Sequence, residues 1–309
     1  MKERIARSLL ALTLFFAASA VARAEPIAAG TTAAAEGAPL FVAAHEGIFS
    51  RHGLDIRPQI IPLMPNLPAS LVSGSVGIGA MVTTTFLQAV SGGLDLVVIS
   101  GGSVTSPAAR NVALIARSNS GIQTAQDLIG HRVGMPGLGA FMHVTLRWWL
   151  TQQGIDWHKI EFTEVTFPSM RDVLRSGQVD AVGAIDPFAR SIVDSGAGKV
   201  VAYFLKDVPA GEPSVIYVST RAWANAHAAH LPAFRTSIKE AIDVIRADPD
   251  RGREAVGAYI KLPPKILAST ELGTYDPAIT AAGLSWWVDV MRAQELINEP
   301  LDTAHLILP

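Results

Sequence analysis

The chain has 309 residues and no cysteine. That one absence excludes disulfides, thiolate metal sites, iron–sulfur clusters, cysteine nucleophiles and a lipid-modified N-terminal cysteine. Charge is also scarce. Charged residues make up 17% of the chain, and 25 Lys and Arg against 27 Asp and Glu leave a formal charge of −2. No Lys/Arg-rich run occurs, so the electrostatic footprint of a nucleic-acid binder is missing and nucleic acid is not expected as a partner. Aromatics are few at 7%, yet hydrophobic residues reach 49%, enough to fill real cores and to argue against disorder. The length suits two domains of about 100 to 200 residues each.

The N-terminus has the three parts of a secretory signal. Lys2, Arg4 and Arg7 start it, Ser8 to Ala20 form an apolar core, and Ala22-Arg23-Ala24 fit a small-residue cleavage site. Those 13 apolar residues are too few to anchor the chain, because a bilayer span takes about 20. Residues 1–24 are therefore expected to be cleaved, taking the charge from −2 to −5 and leaving an exported, mildly acidic protein. No later stretch is long and apolar enough to span a membrane.

Strand-like and helical patterns alternate along the remaining chain, the habit of parallel α/β sheets. Strands are expected at 26–30, 55–61, 76–81, 94–100 and 112–117, with helices at 39–45, at 69–73 and from Thr83. The polar turn Ser118-Asn119-Ser120-Gly121 opens a second unit. Its strands are 132–135, 160–165, 179–182 and 199–204, its helices starting near Phe141, Pro168 and Pro187. A strand at 212–220 precedes a helical tail in which Leu231 to Ala247 carry the clearest amphipathic period.

Catalytic signatures fail, several by one residue. His45-Glu46-Gly47-Ile48-Phe49 has phenylalanine where a zinc-protease helix needs its second histidine. Ser73-Gly74-Ser75-Val76-Gly77 lacks the first glycine of a nucleophile elbow and precedes a strand. Gly137-Leu138-Gly139 has Met142 where a dinucleotide fingerprint needs glycine, and there is no P-loop lysine. His227 and His230 are spaced to share a metal, but no third ligand stands at the right distance along the chain. No metal and no cofactor are expected.

Ligand capture fits the strand exits better. In open α/β sheets ligands sit at the carboxyl ends of the strands. Thr83 and Thr84, the pair Gly102 and Ser103, and the loop Gly137-Leu138-Gly139-Ala140 all fall at such exits. They offer hydroxyls, bare backbone and a helix N-terminus suited to an anion. Each loop read alone is equally an ordinary cap or turn.

At these residues a family resemblance becomes specific. Pro39 to Ile56 (PLFVAAHEGIFSRHGLDI), Ser120 to Gly134, Arg171 to Ala181 with Asp186-Pro187-Phe188, and Leu262 to Pro277 resemble segments of the substrate-binding proteins of nitrate/sulfonate/taurine ABC importers (THI5/NMT1-like). The resemblance implies a type II periplasmic binding protein: two α/β lobes joined by two crossover strands, with the ligand cleft between them. Lobe 1 would comprise 25–115 and 220–309, and lobe 2 116–219. The implied partners are a small-molecule solute and an ABC permease in the inner membrane, the implied location is the periplasm, and the implied state is a monomer.

The chain departs from that family pattern twice. Gly77 stands where the family usually has aspartate, and the segment through Phe141, Met142 and His143 is more apolar than its counterpart in sulfonate binders. A partly apolar or aromatic ligand is expected, with Pro39 at the head of the matching segment and Phe141 and Phe188 as apolar contacts. His143 reads equally as a titrating cleft residue or a helix-lining one. Asp186 is either an acceptor for a ligand amine or, more in keeping with an Asp-Pro step, an N-cap. Trp148-Trp149 and Trp286-Trp287 read as packing residues. The rival readings are a THI5-like or menaquinone-pathway enzyme on the same fold and a sensory module. The export signal opposes the enzymes, and the missing cysteine also removes a motif of the THI5 type.

Overall fold

A computed structural model describes residues 26–261 and 263–309; the expected export signal lies outside the described residues. Two sheets organise the chain. The first takes β1 (Ile27–Thr31), β2 (Ile56–Ile60), β3 (Ile78–Val82), β4 (Leu96–Val104) and, from far downstream, β10 (Pro213–Thr220) and β11 (Thr274–Tyr275). The second takes β5 (Val112–Arg117), β6 (Arg132–Met135), β7 (Glu161–Glu164), β8 (Ala181–Ile185) and β9 (Gly198–Ala202). The spatial orders are β11-β4-β10-β3-β1-β2 and β7-β6-β8-β5-β9.

Most expected elements form within a few residues of their expected bounds. The amphipathic segment is the helix Leu231–Ala247, which buries Leu231, Phe234, Ile238, Ala241, Ile242 and Ile245 on one face. The tail is less wholly helical than expected, because the two-residue β11 pairs with β4 inside it.

The sheets are not purely parallel. β1 pairs in parallel with β2 and β3, and β6 with β7 and β8, but β10 runs antiparallel to β3 and β4, and β5 antiparallel to β8 and β9. Topology is the physical reason. A parallel neighbour needs a crossover connection, usually a helix, whereas β5 and β10 each enter a sheet from the other one through a short link. Those links, residues 105–111 and 203–212, are where the chain changes sheets. They lie side by side, since Thr105 N–H donates to Glu212 O at 2.8 Å and Gly211 N–H to Thr105 O at 2.9 Å. All of β5 belongs to the second sheet and all of β10 to the first. Positions 115/116 fall within β5 and 219/220 within β10.

The cores are well filled, with Phe41, Phe49, Phe86, Tyr217, Phe234 and Trp287 among the fully buried side chains. Trp287 and Trp286 also reach across to the second sheet's helix Phe141–Gln152. Trp287 lies 5.1 Å from the Phe141 ring and Trp286 6.0 Å from Trp148. The same seam carries hydrogen bonds from Gln294 Nε2 to Val144 O at 2.9 Å and from Arg147 Nη2 to Gln294 O at 3.1 Å.

Candidate functional site

A cavity of about 70 Å³ opens between the sheets. Thr31 ends β1 and Thr32 follows it, Val82 ends β3, and Ser103 and Val104 end β4; Pro136 follows β6 and Ile185 ends β8. The cavity thus sits at the carboxyl ends of strands in both sheets, where unpaired loop backbone and short side chains converge. Thr105, Ser106 and Asn111 of the first link and Leu205 of the second also line it. Its wall is mainly apolar, with Met64, Val82, Phe141, Met142, Phe167 and Leu205 contributing.

Ser103, Ala140 and Phe141 of the sequence-read residues line this cavity. The others lie around it with different partners. Pro39 is buried in the first turn of the helix Ala38–His45. Thr83 donates its hydroxyl to Pro213 O at 2.7 Å, and Ser103 shares a 2.8 Å hydroxyl contact with Ser214. Gly102 faces backbone: a Cβ there would stand 2.8 Å from Val215 O. Phe188 stacks on the cavity residue Phe167 at 5.8 Å.

The glycine loop brings the two halves together. A Cβ on Gly137 would meet Pro65 at 2.8 Å, and one on Gly139, whose φ is +76°, would meet Gln88 at 2.7 Å. Three of its four amides are already used. Leu138, which is exposed, donates its N–H to Glu164 Oε1 at 3.0 Å, Gly139 N–H goes to His143 Nδ1 at 2.9 Å, and Ala140 N–H to Gly137 O at 3.2 Å. His143 is buried, and that burial, with the nearby Arg147 charge, pushes its pKa down to about 3. It is a neutral acceptor that fixes the loop at physiological pH. Among the described residues no group of three or more His, Asp or Glu side chains is arranged to hold a metal ion.

Asp186 caps and bridges at once. Its Oδ1 accepts from Arg190 N–H at 3.1 Å and its Oδ2 from Glu271 N–H at 2.9 Å, joining the end of β8 to the C-terminal segment. Burial raises its pKa to about 6 against the pull of those two amides.

Sequence reading missed Glu36. It stands in the 3-10 turn Ala35–Gly37 and lines the cavity. Its Oε1 accepts from Asn111 Nδ2 at 2.6 Å, while Oε2 is shut off from solvent with no partner among the described residues. Burial raises its pKa to about 8, helped by the negative charges of Asp186 and Glu271 and opposed by hydrogen bonds including that from Asn111. The available signal was small: a lone carboxyl in the Thr/Ala/Gly run just past a strand's carboxyl end.

Thr84 makes a useful control. Its hydroxyl is fully buried without a partner, and it does not line the cavity. Thr84→Val is expected to raise stability by up to about 1 kcal/mol, since it removes an unsatisfied buried polar atom, and to leave solute affinity unchanged. Thermal melts and a binding titration check both, and a tenfold affinity loss would restore Thr84 as a ligand contact.

Comparison with known proteins gives this architecture a context. Residues 34–252 match the family described as NMT1/THI5 like. A protein of Escherichia coli (strain K12) named for binding aliphatic sulfonates is 26% identical over 209 residues, 67% of this chain and 63% of that protein. This chain therefore aligns with somewhat under two thirds of that relative's length. The alkanesulfonate-binding protein SsuA from Xanthomonas axonopodis pv. citri, solved bound to MOPS, superposes with a TM-score of 0.76 at 21% identity, covering 92% of this chain and 98% of that one. The periplasmic nitrate-binding protein NrtA from Synechocystis PCC 6803 superposes with a TM-score of 0.75 at 13% identity, covering 91% and 84%. At these identities the structural likeness is one of fold.

Proposed function

This chain belongs to the NMT1/THI5-like family, and from that premise we propose that it is the solute-binding protein of an ABC importer, exported to the periplasm and handing a small, partly apolar solute to a membrane permease. The observation that carries this reading is the cavity itself. It is walled by strand ends of two sheets that, among the described residues, are linked strand to strand by two adjacent segments, 105–111 and 203–212. We take the two sheets with their helices as the lobes and those links as the hinge. Contacts to both walls would then stabilise the shut form over the open one, and affinity would follow from that difference. The cavity's chemistry suits binding better than catalysis. Its one carboxyl is not paired with a nucleophile, and the histidine nearest the glycine loop is occupied by Gly139. We further take the protein to act as a monomer.

A thermal-shift screen of residues 25–309 against small amines, sulfonates, nitrate, aromatic carboxylates and pyrimidines tests the reading. A ligand at 100 times its Kd stabilises by about 2.7 kcal/mol, so a true cargo class gives a clear rise in Tm. Phe141→Ala should then weaken the best hit at least tenfold, because Phe141 forms part of the wall and rests on Trp287. Unchanged affinity in a protein that does bind would remove the cavity from consideration.

A further inference from the structure

We propose that the solute held in this cavity is an organic cation, a protonated amine or amidine on a compact apolar body, and that Glu36 is the residue that receives its N–H groups. This rests on the solute-binding reading above and narrows its cargo.

The donor and acceptor inventory of the wall carries the inference. An oxyanion such as a sulfonate needs charge-assisted donors, yet no Lys, Arg or His lines the cavity. Several of the neutral donors that could replace them are engaged within the chain, although the first N–H groups of the helix Phe141–Gln152 have no side-chain cap. Ser103 and Ser214 bond each other, Thr105 donates to Pro209 O, and the amides of Leu138, Gly139 and Ala140 in the glycine loop are satisfied within the chain. The strongest polar atom left in the wall is an acceptor, Glu36 Oε2, closed off from water and without a partner. An unpaired buried carboxylate is costly, and an N–H cation brought against it replaces that cost with a charge-assisted hydrogen bond. Met64, Val82, Phe141, Phe167 and Leu205 supply the apolar surface for the remainder of the solute.

The surrounding charges set the pH behaviour. Asp186 and Glu271 face Glu36 with the same sign, and Tyr275 is a neutral phenol whose own pKa the Glu36 charge helps to raise. Asn111 donates to its other oxygen. The Arg190 charge acts on Asp186, and Arg110 meets Glu271 through its backbone N–H. In the solute-free protein Glu36 therefore keeps its proton up to about pH 8. A cation must displace that proton, so its affinity should rise with pH, by up to about tenfold per unit below the carboxyl's pKa. An oxyanion accepting a hydrogen bond from the protonated carboxyl would show the opposite slope.

The test uses the signal-free chain, residues 25–309, with benzylamine, benzamidine, benzenesulfonate and nitrate as probes in calorimetric titrations at pH 6, 7 and 8. The expected result is binding of benzylamine or benzamidine that tightens with pH, releases protons and falls at least tenfold in Glu36→Gln. Binding of benzenesulfonate or nitrate that weakens with rising pH, or tightens in Glu36→Gln, would overturn the cation assignment and leave solute binding standing. The wild-type pH series needs no variant to fold. Native mass spectrometry of the chain after exposure to a metabolite extract separates the two levels. A retained basic solute supports the assignment and a retained acidic one overturns it. Retention of no small molecule, with no probe binding, would overturn the solute-binding reading itself.

Discussion

Replacing Gly101 by valine is expected to leave little or no folded protein. Gly101 lies in β4, immediately before the pair Gly102 and Ser103 that reads in the sequence as a ligand-binding strand exit. The segment after β11 runs directly over it. Gly101 N–H donates to Pro277 O at 3.0 Å, and Asp276 N–H donates to Gly102 O at 3.0 Å. A Cβ at Gly101 would stand 2.2 Å from Ala278 O and 2.6 Å from Asp276 O. These are backbone atoms tied to the strand by hydrogen bonds, so they cannot yield as a flexible side-chain end would. The overpacking cost should exceed about 4 kcal/mol, in the range reserved for severe core lesions. Circular dichroism melts of Gly101→Ala and Gly101→Val check it. The alanine variant should melt at least 5 to 10 °C below wild type, by the usual scaling of about 2–4 °C per kcal/mol, and the valine variant should not show a native transition. A valine variant melting within about 2 °C of wild type would mean that the 276–278 segment does not sit on β4 in solution.

Glu36→Gln should do the reverse and stabilise the solute-free chain, in a pH-dependent way. The folded pKa of about 8 lies above the ordinary glutamate value of 4.5. Glu36 therefore costs nothing while protonated in both states, below about pH 4.5. The penalty grows as pH rises and is complete above the folded value. Wild-type Tm should accordingly decline between pH 5 and 8.5, with Asp186, raised to about 6, adding to the decline at its acidic end. In Glu36→Gln the upper part of that decline should be missing. The variant should be more stable than wild type at pH 8.5 by up to about 5 kcal/mol, or roughly 10 to 20 °C in Tm, and no different near pH 4.5. Melts across that range check it, and parallel profiles for the two proteins would show that Glu36 is solvated. If the cargo is a cation, the same variant gains stability as it loses affinity. That is the trade expected where a buried charge is retained for binding.

The elements themselves were written locally. Apolar spacing placed the helix Leu231–Ala247 at its observed bounds, and the short β-branched runs placed most of the strands. The two tryptophan pairs were rightly read as packing residues, since Trp287 is buried against Phe141 and Trp148 meets Trp286. Gly77, conspicuous in the sequence for replacing a family aspartate, acquires a reason only in three dimensions. The Trp223 ring lies 2.7 to 2.8 Å from where its Cβ would be. The antiparallel insertion of β5 and β10 was likewise invisible, because strand direction depends on which sheet a chain enters and from where.

Local chemistry, repeated along one chain, thus suffices for element type and for excluding thiol chemistry. It does not suffice for the site, because whether a polar atom is free for a ligand depends on a partner that is near in space and far in sequence. The Thr83 hydroxyl is taken by a carbonyl 130 residues away, Ser103 by a hydroxyl 111 residues away, and one Glu36 oxygen by an amide 75 residues away. Folding satisfied the Thr83 and Ser103 hydroxyls that the sequence displayed as donors, and left without a partner among the described residues a carboxyl oxygen, Glu36 Oε2, that the sequence had hidden among alanines. Burial decides how that leftover carboxyl behaves, since desolvation raises its pKa to about 8 despite the hydrogen bonds that oppose it.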